Sequence, residues 1–185
     1  MEAYLPGTLL ALLFICFIVQ LYYLIYYHRR LAAYEPLAEL KKSNIPISVI
    51  ISARNEEQNL AANLPAILEQ DYPDFEVVVV NDCSLDESEE VLKELCAKYA
   101  HLKVAVVTEN DRFKTGKKFA LTMGIKAAKN EHLLFTDADC KAASPNWISR
   151  MAVNFEGPTD IVLGYSPYSG TDGFLNAFIR FDTIR

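Results

Sequence analysis

Apolar and polar positions divide this chain into successive stretches of different character. From Leu5 to Tyr27 nearly every side chain is apolar; Gln20 is the one strongly polar residue and none is charged. At 1.5 Å rise per residue such a run makes a helix of roughly 30 Å, the thickness of a bilayer's hydrocarbon core. A cleaved signal peptide would show basic residues before the run and a small-residue cleavage site after it. This chain has Glu2 before it and Tyr26-Tyr27-His28-Arg29-Arg30 after it. A buried core helix is the other reading, and the length and uniformity of the run weigh against it. The pattern predicts a transmembrane helix over 5–27, a polar juxtamembrane linker over 28–45 and a domain over 46–185.

Within that domain short apolar runs alternate with helical periods. Strands are expected at Ile47 to Ser52, Phe75 to Val80, Leu102 to Thr108, His132 to Thr136 and Asp160 to Gly164. Most are too uniformly apolar for strands wet on one face, so the sheet should be mainly parallel and covered on both sides. The intervening helices are read from their punctuation. One ends near Gln70 with Pro65 in its first turn and Leu64, Ile67 and Leu68 inward; one follows a capping box of Ser84 and Glu87; one covers about Lys117 to Lys129; and one starts at Ser144-Pro145. No internal repeat or low-complexity tract interrupts this alternation. It predicts an α/β fold with a Rossmann-like, doubly wound sheet. Ligands bind such sheets beyond the carboxyl ends of the strands.

Bulk properties narrow the partners. A chain of 185 residues holds one ordinary domain and one extra segment. The formal net charge of -6 argues against a nucleic-acid partner, which would need a basic face. Cys16, Cys83, Cys96 and Cys140 form no C-x-x-C pair, and His28, His101 and His132 are isolated, so a thiolate or imidazole metal site is not expected. Arg29, Arg30, Lys41 and Lys42 follow the apolar run, which by the positive-inside tendency puts the domain in the cytoplasm, held at the cell membrane. Tyr22, Tyr23, Tyr26 and Tyr27 suit an interfacial belt.

Polar clusters follow four of the expected strands: Ala53, Arg54, Asn55 and Glu56; Asp82; the Arg112 to Lys118 loop; and Asp137 with Asp139. Two bare carboxylates one residue apart would repel a phosphate ester, so a pair aimed at one makes sense with a hard divalent cation, Mg2+ or Mn2+, between them. Asp is also common in surface turns. Asp82 only accepts hydrogen bonds, which suits a base N–H or ribose hydroxyls, and equally suits an Asx turn or a cap for the next helix. Arg54 offers a planar fork for phosphate oxygens, and with Glu56 it also reads as a solvated loop pair. Gly116-Lys117-Lys118 opens a helix, a natural anion site, although lysines at helix starts are commonly just exposed. It is not a Walker loop, because the leading glycine is missing and Phe119 follows the lysines.

Taken together, the motifs resemble those of the family 2 glycosyltransferases. The resemblance runs from about Pro46 to Gly164 and rests on the first strand through Ala53-Arg54-Asn55-Glu56-Glu57, on Gln70-Asp71-Tyr72-Pro73, on four valines before Asn81-Asp82-Cys83-Ser84-Leu85-Asp86, on Thr115-Gly116-Lys117-Lys118, and on Phe135-Thr136-Asp137-Ala138-Asp139. It implies a GT-A fold and a nucleotide-diphosphate sugar donor, often a UDP-sugar. It also implies Ala53, Arg54, Glu56 and Asp82 at the nucleoside, Lys117 near the diphosphate, Asp137 by the donor, and Asp139 with Asp137 at the metal. Transfer would invert the anomeric centre, and the membrane tether points to a lipid or glycan acceptor. The family's catalytic base, an Asp often preceded by Glu, has no counterpart in Glu156, Asp160, Asp172 or Asp182. The expectation is therefore a donor-binding half, with the base lying past Arg185 and the chain alone inactive. Two rivals stand beside this: a membrane-tethered nucleotide-binding module that transfers nothing, and an aspartate-dependent phosphohydrolase. The second would need its pair after the first strand and Thr or Val where Cys140 stands.

Overall fold

The computed structural model describes residues 5–33, 43–108, 116–155, 159–164, 166, 168, 170 and 172–183. The chain divides into two compact units with the boundary between residues 39 and 40. The first unit carries α1 (Leu5–Ala32). Its stretch Gly7–Arg30 is long and apolar enough to cross a membrane. The helix continues past the apolar run, since Ala33 N–H donates to the Arg29 carbonyl at 2.9 Å. Spacing of i, i+4 stacks Tyr22 on Tyr26 and Tyr23 on Tyr27, with ring centroids 6.0 and 6.2 Å apart. The Arg30 guanidinium lies 5.1 Å from the Tyr26 ring centroid.

The second unit is built on a parallel sheet of β1 (Ile47–Ala53), β2 (Phe75–Asp82), β3 (Leu102–Val107) and β4 (His132–Asp137), in the order β3-β2-β1-β4. From β1 the chain winds outward to β2 and β3, then crosses back to set β4 on the other side of β1. That reversal leaves a crevice at the carboxyl ends of β1 and β4, where Ser52 pairs with Asp137. The central strands are buried on both faces; Val77, Val78, Val79 and Val80 are each 0% exposed. This is why their sequence reads as an unbroken apolar run. Edge strands β3 and β4 are less covered, with Val106 and Phe135 exposed.

Alternation along the strands sends residues to two cores. Ile47, Val49, Ile51, Val77 and Val79 meet α2 (Glu57–Leu68), α3 (Ser88–Lys98) and the short α5 (Trp147–Ala152), through Leu60, Leu64, Leu92 and Ile148. On the opposite face Val80 and Val107 meet Ala120 of α4 (Lys117–Ala127). Gly124 lets α4 approach this closely, because a Cβ there would stand 2.5 Å from Ile50 Cγ2. At the amino edge of the sheet buried Glu76 ties several elements. Its Oε1 accepts from Ser48 Oγ and from Lys129 N–H, both at 2.6 Å, and its Oε2 meets the Lys103 ammonium at 2.7 Å. Burial pushes the Glu76 carboxyl up, and the bonds from Lys103, Ser48 and Lys129 outweigh it, so the group is held below the usual carboxylate range.

Several local expectations are corrected. Pro65 lies deep in α2, not in its first turn, because burial of Leu60, Leu64, Ile67 and Leu68 along one stripe overrides the proline's cost. The Ser84–Glu87 box does not form: α3 starts at Ser88 with Glu87 at its N-cap and no side-chain bond from that cap. The helix expected at Ser144-Pro145 starts at Trp147, and Gln70 Oε1 accepts from the Ile148 N–H at 3.1 Å. Residues 159–164 form no strand; Ile161 and Leu163 are exposed without a neighbouring strand to pair with. A further helix, α6 (Phe174–Thr183), was not foreseen, although Phe174, Leu175, Phe178 and Ile179 recur at helical spacing. Of the 112–118 loop, residues 112–115 lie outside the described residues.

Candidate active site at the carboxyl edge of the sheet

Ser52, Ala53, Arg54, Glu56, Asp82, Gly116, Lys117, Asp137, Ala138 and Asp139 line one cleft of about 300 Å³ beyond the strand ends. All seven residues singled out from the sequence are therefore brought together: Ala53, Arg54, Glu56, Asp82, Lys117, Asp137 and Asp139. Four arrive from the ends of elements, Ala53 from β1, Asp82 from β2, Lys117 from the start of α4 and Asp137 from β4, and the other three from the turns that follow β1 and β4. Asp82 is 3% exposed, yet its Oδ1 meets no hydrogen-bond donor among the described residues. Asp82 lies on the cleft wall, and a buried carboxylate oxygen left without a partner costs free energy.

The acidic pair is displayed by a tight turn. Cys140 N–H donates to the Asp137 carbonyl at 3.1 Å, Ala138 is buried, and Asn63 Nδ2 of α2 donates to the Ala138 carbonyl at 3.2 Å. The two carboxylates are thus fixed through the backbone between them. Lys117 Nζ lies 2.8 Å from Asp137 Oδ1, with both side chains half-exposed or more. The hydrogen bond to Asp137 raises the lysine above its usual range, partial burial opposes this, and the charges of Asp137 and Asp139 add to it. Gly116 has φ 145°, a conformation other residues rarely adopt, and it starts α4 without a side-chain cap.

A latch of hydrogen bonds joins the loops after β1 and β2. Asn55 N–H donates to Ser84 Oγ at 3.0 Å, Leu85 N–H to Asn55 Oδ1 at 2.8 Å, Glu56 N–H to Ser88 Oγ at 3.1 Å, and Glu57 N–H to Asp86 Oδ2 at 3.0 Å. Asp86 Oδ1 also accepts from the Ser88 hydroxyl at 2.6 Å. Burial pushes the Asp86 carboxyl up, but the bonds from Ser88 and Glu57 hold it below its ordinary range. The first amides of α2 are thus capped from the neighbouring loop. Asn55 and Cys83 are left-handed at φ 56° and 55°, turning the chain sharply beside Arg54 and Asp82.

Residues 48–181 match the family described as glycosyl transferase family 2. The chain belongs to this family. It is 30% identical over 135 residues to the glycosyltransferase AglE of Haloferax volcanii, covering 71% of this chain and 43% of AglE. Among solved structures it is similar to the mannosyltransferase PcManGT from Pyrobaculum calidifontis in complex with GDP-Man and Mn2+, with TM-score 0.61 and 27% identity, covering 74% of this chain and 40% of that one. It is also similar to Staphylococcus aureus TarS 1-349 in complex with UDP-GlcNAc, with TM-score 0.50 and 31% identity, covering 59% of this chain and 30% of that one. The chain thus spans less than half the length of these relatives. Its parallel sheet with flanking helices is the nucleotide-binding half of the GT-A fold.

As a family 2 glycosyltransferase chain, it can be tested for a cation. Asp137 and Asp139 supply hard oxygen donors suited to Mg2+ or Mn2+. Among the described residues no group of three or more His, Cys, Asp and Glu could hold a metal alone. The residues fit a divalent cation whose remaining ligands come from a phosphate ester and water. Sequence reasoning missed Asn63, and placed Asn55 and Ser84 near the strand ends without foreseeing that they bond across the two loops. It also passed over Ser52 as a lining residue. The polar run Asn81 to Ser88 was visible, but no periodicity announces which loop its side chains bond.

Proposed function

We propose that this chain forms the donor side of an inverting glycosyltransferase that takes a nucleotide-diphosphate sugar, a UDP-sugar first among candidates. The reading is carried by the unpartnered Oδ1 of buried Asp82 in a cleft that also holds the lysine and the acidic pair. Asp82 accepts from a base N–H or ribose hydroxyl, with Ala53, Arg54 and Glu56 around the nucleoside. A carboxylate serves uracil and guanine alike, in keeping with similar proteins whose structures hold UDP-GlcNAc in one case and GDP-Man in another. Lys117 and the first amides of α4 face the diphosphate. Asp137 and Asp139 hold Mg2+ or Mn2+, which when bound neutralises charge building on the departing diphosphate. The acceptor's base is left unassigned within residues 1–185.

The acceptor is proposed to be a lipid or glycan at the cytoplasmic face of the cell membrane. Residues 5–27 span the bilayer, residues 28–45 link, residues 46–185 form the domain, and Arg29, Arg30, Lys41 and Lys42 set its side. A second reading, nucleotide binding without transfer, is favoured by one observation. Among the described residues, the cleft's carboxylates are Glu56, Asp82, Asp137 and Asp139, all with donor-side roles. Calorimetry with UDP and with GDP, each with Mn2+ or a chelator, tests binding. Cation-dependent binding that Asp139→Asn removes supports the site; binding of neither nucleotide overturns it. Release or transfer of a radiolabelled sugar then separates enzyme from binding module.

A further inference from the structure

Lys117 has two claims on it. Its ammonium already sits 2.8 Å from Asp137 Oδ1, while the donor-plus-cation reading gives Asp137 to the cation and Lys117 to the diphosphate. One ammonium cannot stay paired with Asp137 and also pair with a phosphate if Asp137 is given over to a cation. Among the described cleft residues the positive groups are Arg54 and Lys117, against the carboxylates Glu56, Asp82, Asp137 and Asp139. Lys117 is 63% exposed and Asp137 50%, so water is at hand for both when they part, and an exposed pair is cheaply broken. The turn that presents Asp137 is held by the Cys140 N–H and the Asn63 side-chain amide, each donating to a carbonyl of the turn, so its backbone stays in place when the lysine leaves.

We propose that Lys117 is a positioning residue that stands in for the divalent cation in the donor-free chain, holding Asp137 and exchanging it for the diphosphate as donor and cation arrive. The inference rests on the donor-plus-cation reading of the cleft. In the donor-free chain an arriving cation must displace the ammonium, so the cation alone binds weakly. A diphosphate that draws Lys117 away frees Asp137, and by linkage the cation helps the diphosphate to the same degree. The exchange thus favours arrival of the two together and discourages a cation lodged without donor.

The test is Mn2+ binding to the full chain without nucleotide, followed by electron paramagnetic resonance of the free ion. Lys117→Met should tighten it by about two- to fivefold, the size of one exposed ion pair. Lys118→Met makes the same charge change on the adjacent exposed lysine and should give clearly less. Adding Asp137→Asn to Lys117→Met should abolish the gain. With a chelator present, Lys117→Met should weaken UDP binding. Equal Mn2+ affinity in the Lys117→Met and Lys118→Met chains overturns the exchange while leaving the cation site standing. Failure of every chain, wild type included, to bind Mn2+ even with UDP added overturns the cation reading and the exchange with it.

Discussion

Asp82, 3% exposed at the end of β2, keeps Oδ1 without a donor from this chain's described residues, so the folded protein bears the cost of a desolvated acceptor. Asp82→Asn removes the buried charge, keeps the shape and replaces an acceptor with an NH2 that opposes a ligand N–H. Nucleotide affinity should fall about tenfold or more, ~1.4 kcal/mol, while Tm holds or rises. Titration calorimetry beside a melting curve checks this, and unchanged affinity would remove Asp82 from the nucleoside site. Glu76 differs, a buried carboxylate whose Oε1 accepts from Ser48 and Lys129 and whose Oε2 pairs with the Lys103 ammonium. Its pKa is depressed on folding, so its contribution is present above the ordinary carboxylate range and drains away as pH falls through the folded value. Glu76→Gln should cost about 1–3 kcal/mol at neutral pH and flatten the acid limb of Tm against pH. An acid limb as steep as wild type would count against it.

Among the elements, the loops after β1 and β2 act as one piece because their bonds cross 29 to 32 residues of sequence. Asp86 caps the α2 amide of Glu57 and orders Ser88, whose hydroxyl takes the Glu56 amide. Asp86→Ala should therefore loosen Arg54 and Glu56 relative to Asp82 without touching any group that lines the cleft. Loss of a cap costs about 1 kcal/mol of stability, and the measurement that separates positioning from stability is nucleotide affinity well below Tm. A drop of about threefold or more there is expected by the same reasoning on cap energies; an unchanged affinity would make the latch purely structural. Elements were legible in the sequence where burial leaves a pattern, as in the valines of β2 and the leucines of α2. They were not legible where a cap comes from a segment distant in sequence, as at Glu57 and Ile148. The apolar run Ile161-Val162-Leu163 misled because a strand needs a neighbour, which periodicity does not supply.

At the scale of the whole molecule, the described residues of the four polar clusters were readable as neighbours in one cleft because a parallel sheet brings the carboxyl ends of its strands to one edge whatever the loops contain. What the sequence could not supply was the partnering within that edge, such as Lys117 on Asp137 or the empty side of Asp82. The remaining feature of this scale is α1, whose side chains from Leu9 to Tyr27 include Leu10 at 70% and Phe14 at 64% exposure, with no apolar neighbour among the described residues of its own unit to cover them. Burying ten such side chains in hydrocarbon is worth upwards of about 15 kcal/mol. A net charge of -6 works against charge-driven attachment of the chain to an anionic lipid surface. Retention should therefore be apolar in origin. When membranes from cells expressing the full chain are washed, high salt and alkaline carbonate should leave it in the pellet and a nonionic detergent should release it. Replacing Ile15 and Val19 by Arg, each costing about 2.5–3.5 kcal/mol at mid-bilayer, should lower the retained fraction. Release by salt alone would mean that α1 does not span the bilayer and that the chain is held at the surface by charge.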